Sequence, residues 1–81
     1  MPSSKEIREA IEGQLKTQLP AVPAPHENWI TAGMDSLEVI DVLLKLETRF
    51  EQDIPVGEFA DEPNTDSLVR FLSEHLAGGE L

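Results

Sequence analysis

The chain has 81 residues, with 16 acidic residues against 6 basic ones and a formal net charge of −10. This length suits one small domain, residues 1–81, and 40% apolar residues are enough for a small core. The negative charge disfavours binding to nucleic acid or anionic membranes. The absence of cysteine excludes disulfides, thiolate nucleophiles and Cys-based metal sites. The chain begins without an apolar targeting segment and has no long apolar run, so we expect a soluble, cytoplasmic monomer.

Three segments show helical periodicity, and none predicts a strand. The first is residues 3–19, where Ser3 and Glu6 have the spacing of a capping box. Pro20 ends this helix, because proline disfavours helical geometry in the residue before it. One apolar side chain recurs at every fourth position and predicts a buried stripe: Ile7, Ile11, Leu15 and Leu19.

Residues 20–35 form a long connector that contains three prolines and therefore cannot be helical throughout. A loop of this length in a small domain is usually functional or held by its own side chains. We expect Trp29 and Ile30 to hold it against the core. Gly33 suits a backbone position with positive φ just before the next helix.

The second helix is predicted over residues 36–50, with Asp35 as its N-cap and Glu38 completing a capping box. It carries about twice the apolar arc of about 100° that packing against a small bundle requires. The stripe predicted to face the core consists of Val39, Val42, Leu43, Leu46 and Phe50. The surplus stripe consists of Leu37, Ile40 and Leu44. This second stripe either packs on another helix or is covered by a partner.

Pro55 interrupts the chain before a helix of at most one turn, residues 56–60. The last helix is predicted over residues 65–77, capped by Asn64 or Thr65 and ended by two glycines, Gly78 and Gly79. Its inward residues are Leu68, Val69, Phe71, Leu72 and Leu76. The fold class is therefore all-α, a bundle of three main helices and one short helix with a long first connector.

The sequence contains none of the usual catalytic or metal-binding motifs, so we assign no catalytic residue and no metal ligand. The two histidines have ordinary interpretations: His26 as a solvated connector residue, and His75 as a packed or capping side chain of the last helix. A small hydrolase that uses Ser36 with a histidine is an alternative, and it predicts ester turnover by the unmodified protein.

The segment Gly33-Met34-Asp35-Ser36-Leu37 stands at the end of the connector. An ordinary helix start explains these residue types, and Asp66-Ser67-Leu68 repeats the tripeptide at the last helix, where we interpret it as capping only. Only the first copy follows a glycine, ends a long loop and opens the helix with surplus apolar surface.

The whole chain resembles the acyl carrier proteins and peptidyl carrier (thiolation) domains of fatty-acid, polyketide and nonribosomal peptide assembly. The resemblance rests on Gly-Met-Asp-Ser-Leu at residues 33–37, the acidic helix that follows, and Asp-Ile-Pro at residues 53–55. It implies that Ser36 carries 4′-phosphopantetheine, with Asp35 and Gly33 beside it. A helix N-terminus favours the resulting phosphodiester anion by about 0.3–1 kcal/mol. The arm also supplies the thiol that the chain lacks.

The resemblance implies three kinds of partner: a phosphopantetheinyl transferase, a loading acyltransferase or adenylating enzyme, and synthase or condensing enzymes. Residues 27–66 hold 11 acidic and 2 basic residues, a net −9, which favours electrostatic steering toward basic partner surfaces. The predicted partner surface has the surplus stripe, Leu37, Ile40 and Leu44, at its centre and Glu38, Asp41 and Glu47 at its edge. Asp41 and Lys45 have the spacing of an internal ion pair.

Several alternatives stay open at this point. An acidic helical module that docks a partner without a prosthetic group explains the charge and the surplus stripe. Within the carrier class, the segments at residues 28–30 (Asn-Trp-Ile) and 33–37 (Gly-Met-Asp-Ser-Leu) resemble polyketide or nonribosomal peptide carriers more than the general fatty-acid carrier. Residues 53–59 also resemble D-alanyl and aminoacyl carriers. The short ending at residues 78–81 favours a free-standing protein.

Overall fold

A computed structural model describes residues 3–78, and the side chains of residues 3–76. The helices, in chain order, are α1 (Ser4–Leu15), α2 (Ser36–Phe50), α3 (Val56–Asp61) and α4 (Thr65–Gly78). α1 packs against both α4 and α2, while α3 packs against α2. No strand occurs within these residues, and the predicted all-α bundle of three main helices and one short helix is confirmed.

Helix α1 is shorter than the sequence predicts. The Ser3 hydroxyl caps it by accepting the Glu6 amide at 3.1 Å, one of the two bonds of the expected capping box. The prediction that it continues to Leu19 is wrong, because the helix ends at Leu15 and a turn follows. In that turn the Thr17 hydroxyl donates to a backbone carbonyl of the preceding turn at 2.7 Å, which competes with helical bonding.

The core is formed by the apolar stripes predicted for α1, α2 and α4. Leu19 stays in it, 8% exposed, although it lies beyond the end of α1. The fully buried members on the three helices are Ile7, Ile11, Leu15, Val39, Val42, Leu43, Leu46, Leu68 and Leu72. Four further predicted members pack against them half-buried: Phe50, Val69, Phe71 and Leu76. α3 adds no fully buried residue and rests on the core partly through Phe59, whose ring meets that of Phe71 edge-on at 5.4 Å.

Trp29 anchors the long connector to the start of α4. Its side chain is fully buried, and its indole Nε1–H donates to the Thr65 hydroxyl at 3.2 Å. Its amide donates to the Pro63 carbonyl at 2.8 Å, and the Asp66 amide donates to the Pro25 carbonyl at 2.9 Å. The connector is therefore joined to residues 63–66, at the start of α4, by one side-chain bond and two backbone bonds.

The segment that follows Trp29 is a closed turn. The Met34 amide donates to the Trp29 carbonyl and the Ala32 amide to the Asn28 carbonyl, both at 3.0 Å. The prediction that Ile30 also holds the connector is wrong, since its side chain is 40% exposed. Its amide donates to the Asn28 side-chain oxygen at 2.8 Å, and this local turn directs the chain so that only one of the two apolar neighbours faces the core.

We predict that the Trp29–Thr65 hydrogen bond couples the connector to α4 energetically. Trp29→Phe and Thr65→Val should each destabilise the fold, and their coupling in a double-mutant cycle should be about 1 kcal/mol. Urea unfolding of the two single variants and the double variant measures this coupling. Additive effects of the two substitutions would contradict the prediction.

Candidate functional site

The start of α2 is fixed by a complete capping box. The Asp35 carboxylate accepts the Glu38 amide at 2.8 Å, and the Glu38 carboxylate accepts the Asp35 amide at 3.0 Å. Both residues therefore have the local roles that their spacing predicts. The box sets Ser36 as the first residue of the helix.

Ser36 is exposed at this helix start. Its amide and that of Leu37 belong to the first turn, where backbone N–H groups have no acceptor within the helix. Such amides, together with the positive end of the helix dipole, favour an anion attached nearby. The position therefore suits a phosphate group on the Ser36 oxygen, because Ser36 is exposed and the helix start stabilises the negative charge of the phosphate.

Gly33 directs the connector into α2 through a left-handed backbone conformation. Its φ is +123°, which confirms the predicted positive φ and which L-residues rarely adopt. A Cβ built at this position would lie 3.5 Å from Cδ2 of Leu19, an ordinary contact distance. The glycine is therefore required by backbone geometry more than by lack of space.

The second Asp-Ser-Leu tripeptide occupies a different helical position. The Asn64 side chain caps α4 by accepting the Ser67 amide at 2.8 Å, so Ser67 is the third residue of the helix and half-buried. Of the two cap residues predicted for α4, Asn64 is the one that accepts a capping bond, and Asp66 and Ser67 lie in the first turn that it caps. Thr65 instead accepts the bond from Trp29. The two serines have the same neighbours in sequence but different exposure.

The surplus stripe of α2 is largely uncovered. Leu37 is 77% exposed and Leu44 49% exposed, while Ile40 is half-buried. Exposed side chains of this size on one helix face, beside the exposed Ser36, are typical of a binding surface. No other part of residues 3–76 covers the two leucines.

The three acids predicted at the edge of this surface all have partners inside the protein. Glu38 belongs to the capping box. Asp41 forms the predicted pair with Lys45 at 2.9 Å, and it also accepts a 3.4 Å bond from Gln18. Glu47 accepts the Ile54 amide at 2.7 Å and so fastens the loop between α2 and α3. Helical periodicity did not reveal this last role, because the bond crosses a turn.

The two histidines have no hydrogen bond to Ser36 in the described part of the chain. His26 is exposed in the connector, and His75 bonds through Nδ1 to the Phe71 carbonyl at 2.8 Å with its ring stacked on Phe71. Among residues 3–76, no three His, Asp or Glu side chains are grouped to hold a metal. None of the described helices combines the length and apolar content needed to cross a bilayer.

Comparison with known proteins identifies the family. Residues 5–72 match the family described as "Phosphopantetheine attachment site". The chain belongs to this family. It is also similar to an acyl carrier protein of Campylobacter concisus (strain 13826), with 26% identity over 70 residues, covering 86% of this chain and 91% of that protein. No solved structure matches the chain.

The predicted carrier class is thereby confirmed. Proteins of this family are carriers and not themselves catalysts, and they hold a covalently attached 4′-phosphopantetheine. The group supplies a thiol that forms thioesters with acyl groups, a function no side chain of this cysteine-free sequence can perform. The exposed Ser36 hydroxyl at the start of α2 fits its attachment as a phosphodiester.

We predict opposite stability effects for two Gly→Ala substitutions. Gly33→Ala should destabilise the fold by about 1–3 kcal/mol, because it forces an L-residue to a positive φ. Gly13→Ala is the matched control, since this glycine lies inside α1 and its added Cβ would meet no atom of another element within 4 Å. It should stabilise the fold by about 0.5–1 kcal/mol through helix propensity.

Chemical denaturation of both variants measures the two effects. Equal signs for the two substitutions would contradict the backbone account of Gly33.

Proposed function

We propose that Ser36 is the attachment point of 4′-phosphopantetheine, and that the protein holds acyl or aminoacyl groups as thioesters on this arm. It would deliver them to the enzymes of a biosynthetic pathway. The observation that carries the proposal is the exposed hydroxyl at the first position of α2, directly after a connector fastened by Trp29. Ser67, the other serine in the same tripeptide, is half-buried at the third position of α4.

The residues around Ser36 contribute position and charge stabilisation. The capping box of Asp35 and Glu38 holds the helix start in place, and Gly33 turns the chain into it. No described side chain is hydrogen-bonded to the Ser36 hydroxyl, so the base that removes its proton would come from the transferase. Asp35 could also help to hold the transferase's magnesium, in addition to its cap.

The exposed face of α2 is the proposed docking surface for partner enzymes. Its centre would be Leu37, Ile40 and Leu44, with Glu38, Asp41 and Glu47 at the edge. A carboxylate that accepts a bond from a neutral amide keeps its negative charge, so Glu38 and Glu47 still attract basic groups. The net −9 of residues 27–66 supports steering toward partners with a basic rim.

The partners would be a phosphopantetheinyl transferase, a loading acyltransferase or adenylating enzyme, and condensing enzymes. We assign the chain to polyketide or nonribosomal peptide metabolism, as one carrier domain over residues 1–81, on the resemblance of residues 28–37 to such carriers. The similarity to a protein named acyl carrier protein favours a general fatty-acid carrier as the second candidate. The segment at residues 53–59 favours an aminoacyl carrier as the third.

We predict that a broad-specificity phosphopantetheinyl transferase with coenzyme A adds one phosphopantetheine to the wild-type protein. Intact-mass measurement should show this gain in Ser67→Ala and no gain in Ser36→Ala. Both variants replace the serine of an Asp-Ser-Leu tripeptide in the first turn of a helix, so Ser67→Ala is a matched control.

No gain in the wild type would favour the alternative, an acidic docking module without a prosthetic group. A gain that survives Ser36→Ala would contradict the assignment of the site.

A further inference from the structure

Lys45 lies at the edge of the proposed docking surface, where it pairs with Asp41. Its ammonium is 2.9 Å from the Asp41 carboxylate, and both side chains are about half exposed. Leu44, the exposed apolar residue of the surface, is its neighbour in the chain. Lys45 is one of only two basic residues among the 11 acids of residues 27–66.

We infer that Lys45 is a specificity-determining residue that masks Asp41 from partners with a basic rim. The inference rests on the proposed function, since it concerns the docking surface around Ser36. Glu38 and Glu47 are bonded to neutral backbone amides, so their charges remain available to a partner. Asp41 is bonded to a cation, which cancels most of its field at a distance.

The pair contributes little to folding, which makes its effect on docking separable from stability. Exposed ion pairs between residues four apart on a helix contribute little to stability. The second partner of Asp41, the Gln18 amide, is neutral and keeps the carboxylate oriented when Lys45 is removed. Removing the lysine charge therefore leaves the Asp41 carboxylate without a cationic partner, while Gln18 still orients it.

A repulsive element of this kind selects among partners. An enzyme whose rim is uniformly basic meets a positive charge at Lys45 and gains little attraction from Asp41. An enzyme with an acidic group opposite Lys45 gains an attraction that the first enzyme lacks. The docking surface thus discriminates between carrier-binding enzymes that share a basic rim and differ at this one position.

The test compares Lys45→Gln with Lys5→Gln in transfer of phosphopantetheine from coenzyme A by a transferase with a basic rim. Both variants lower the net charge by one unit. Lys5 is exposed in the first turn of α1. The first turn of α1 lies near the C-terminal end of α2, because Glu6 in that turn and Arg49 line the same groove. Ser36 is at the opposite end of α2.

At low salt, Lys45→Gln should raise kcat/KM by about threefold over the Lys5→Gln control, the effect of one unit charge on another at about 6 Å in water. The difference should vanish at about 1 M salt, where the screening length falls to about 3 Å. Thermal unfolding of both variants confirms that each remains folded.

Equal kcat/KM for the two variants at low salt, or a lower value for Lys45→Gln, would overturn the role of Lys45 while the loaded product still supports Ser36. Failure of the wild type to accept the group would instead overturn the proposed function itself.

Discussion

Burial of Trp29 holds the connector against the core and thereby positions the start of α2. Residues 20–35 are rich in proline and contain no helix, so their order must come from a few contacts with the rest of the chain. The buried Trp29 ring, the Trp29 bonds to Thr65 and Pro63, and the bond between Asp66 and Pro25 contribute to that order. The closed turn after Trp29 then carries the chain through Gly33 into α2 and sets where Ser36 emerges.

The two Asp-Ser-Leu tripeptides have the same residue types but occupy different helical positions, which gives their serines different exposure. In the first copy the aspartate is the N-cap, and the serine takes the first, exposed position. In the second copy Asn64 is the cap, which moves Ser67 two positions further into the helix. Asp35 is therefore the cap of α2, whereas the corresponding aspartate of the second copy, Asp66, lies within the first turn of α4.

Features that depend on nearby residues were predictable from the sequence. The Asp35–Glu38 box, the Asp41–Lys45 pair and the buried stripes involve separations of three or four residues, which helical periodicity reveals. The Trp29–Thr65 and Glu47–Ile54 bonds cross loops, where no period relates the partners. The wrong prediction for Ile30 has the same cause, because two adjacent apolar residues in a loop give no sign of which one faces the core.

The connector is a fixed part of the fold, and amide hydrogen exchange can measure how firmly it is held. The amides of Trp29 and Met34 bond to the Pro63 and Trp29 carbonyls at 2.8 and 3.0 Å. They should exchange as slowly as the amide of Leu43 in the core of α2, because all three would be released only by opening of the domain. Exchange of the connector amides at the rate of an unstructured peptide, with Leu43 still protected, would contradict the account.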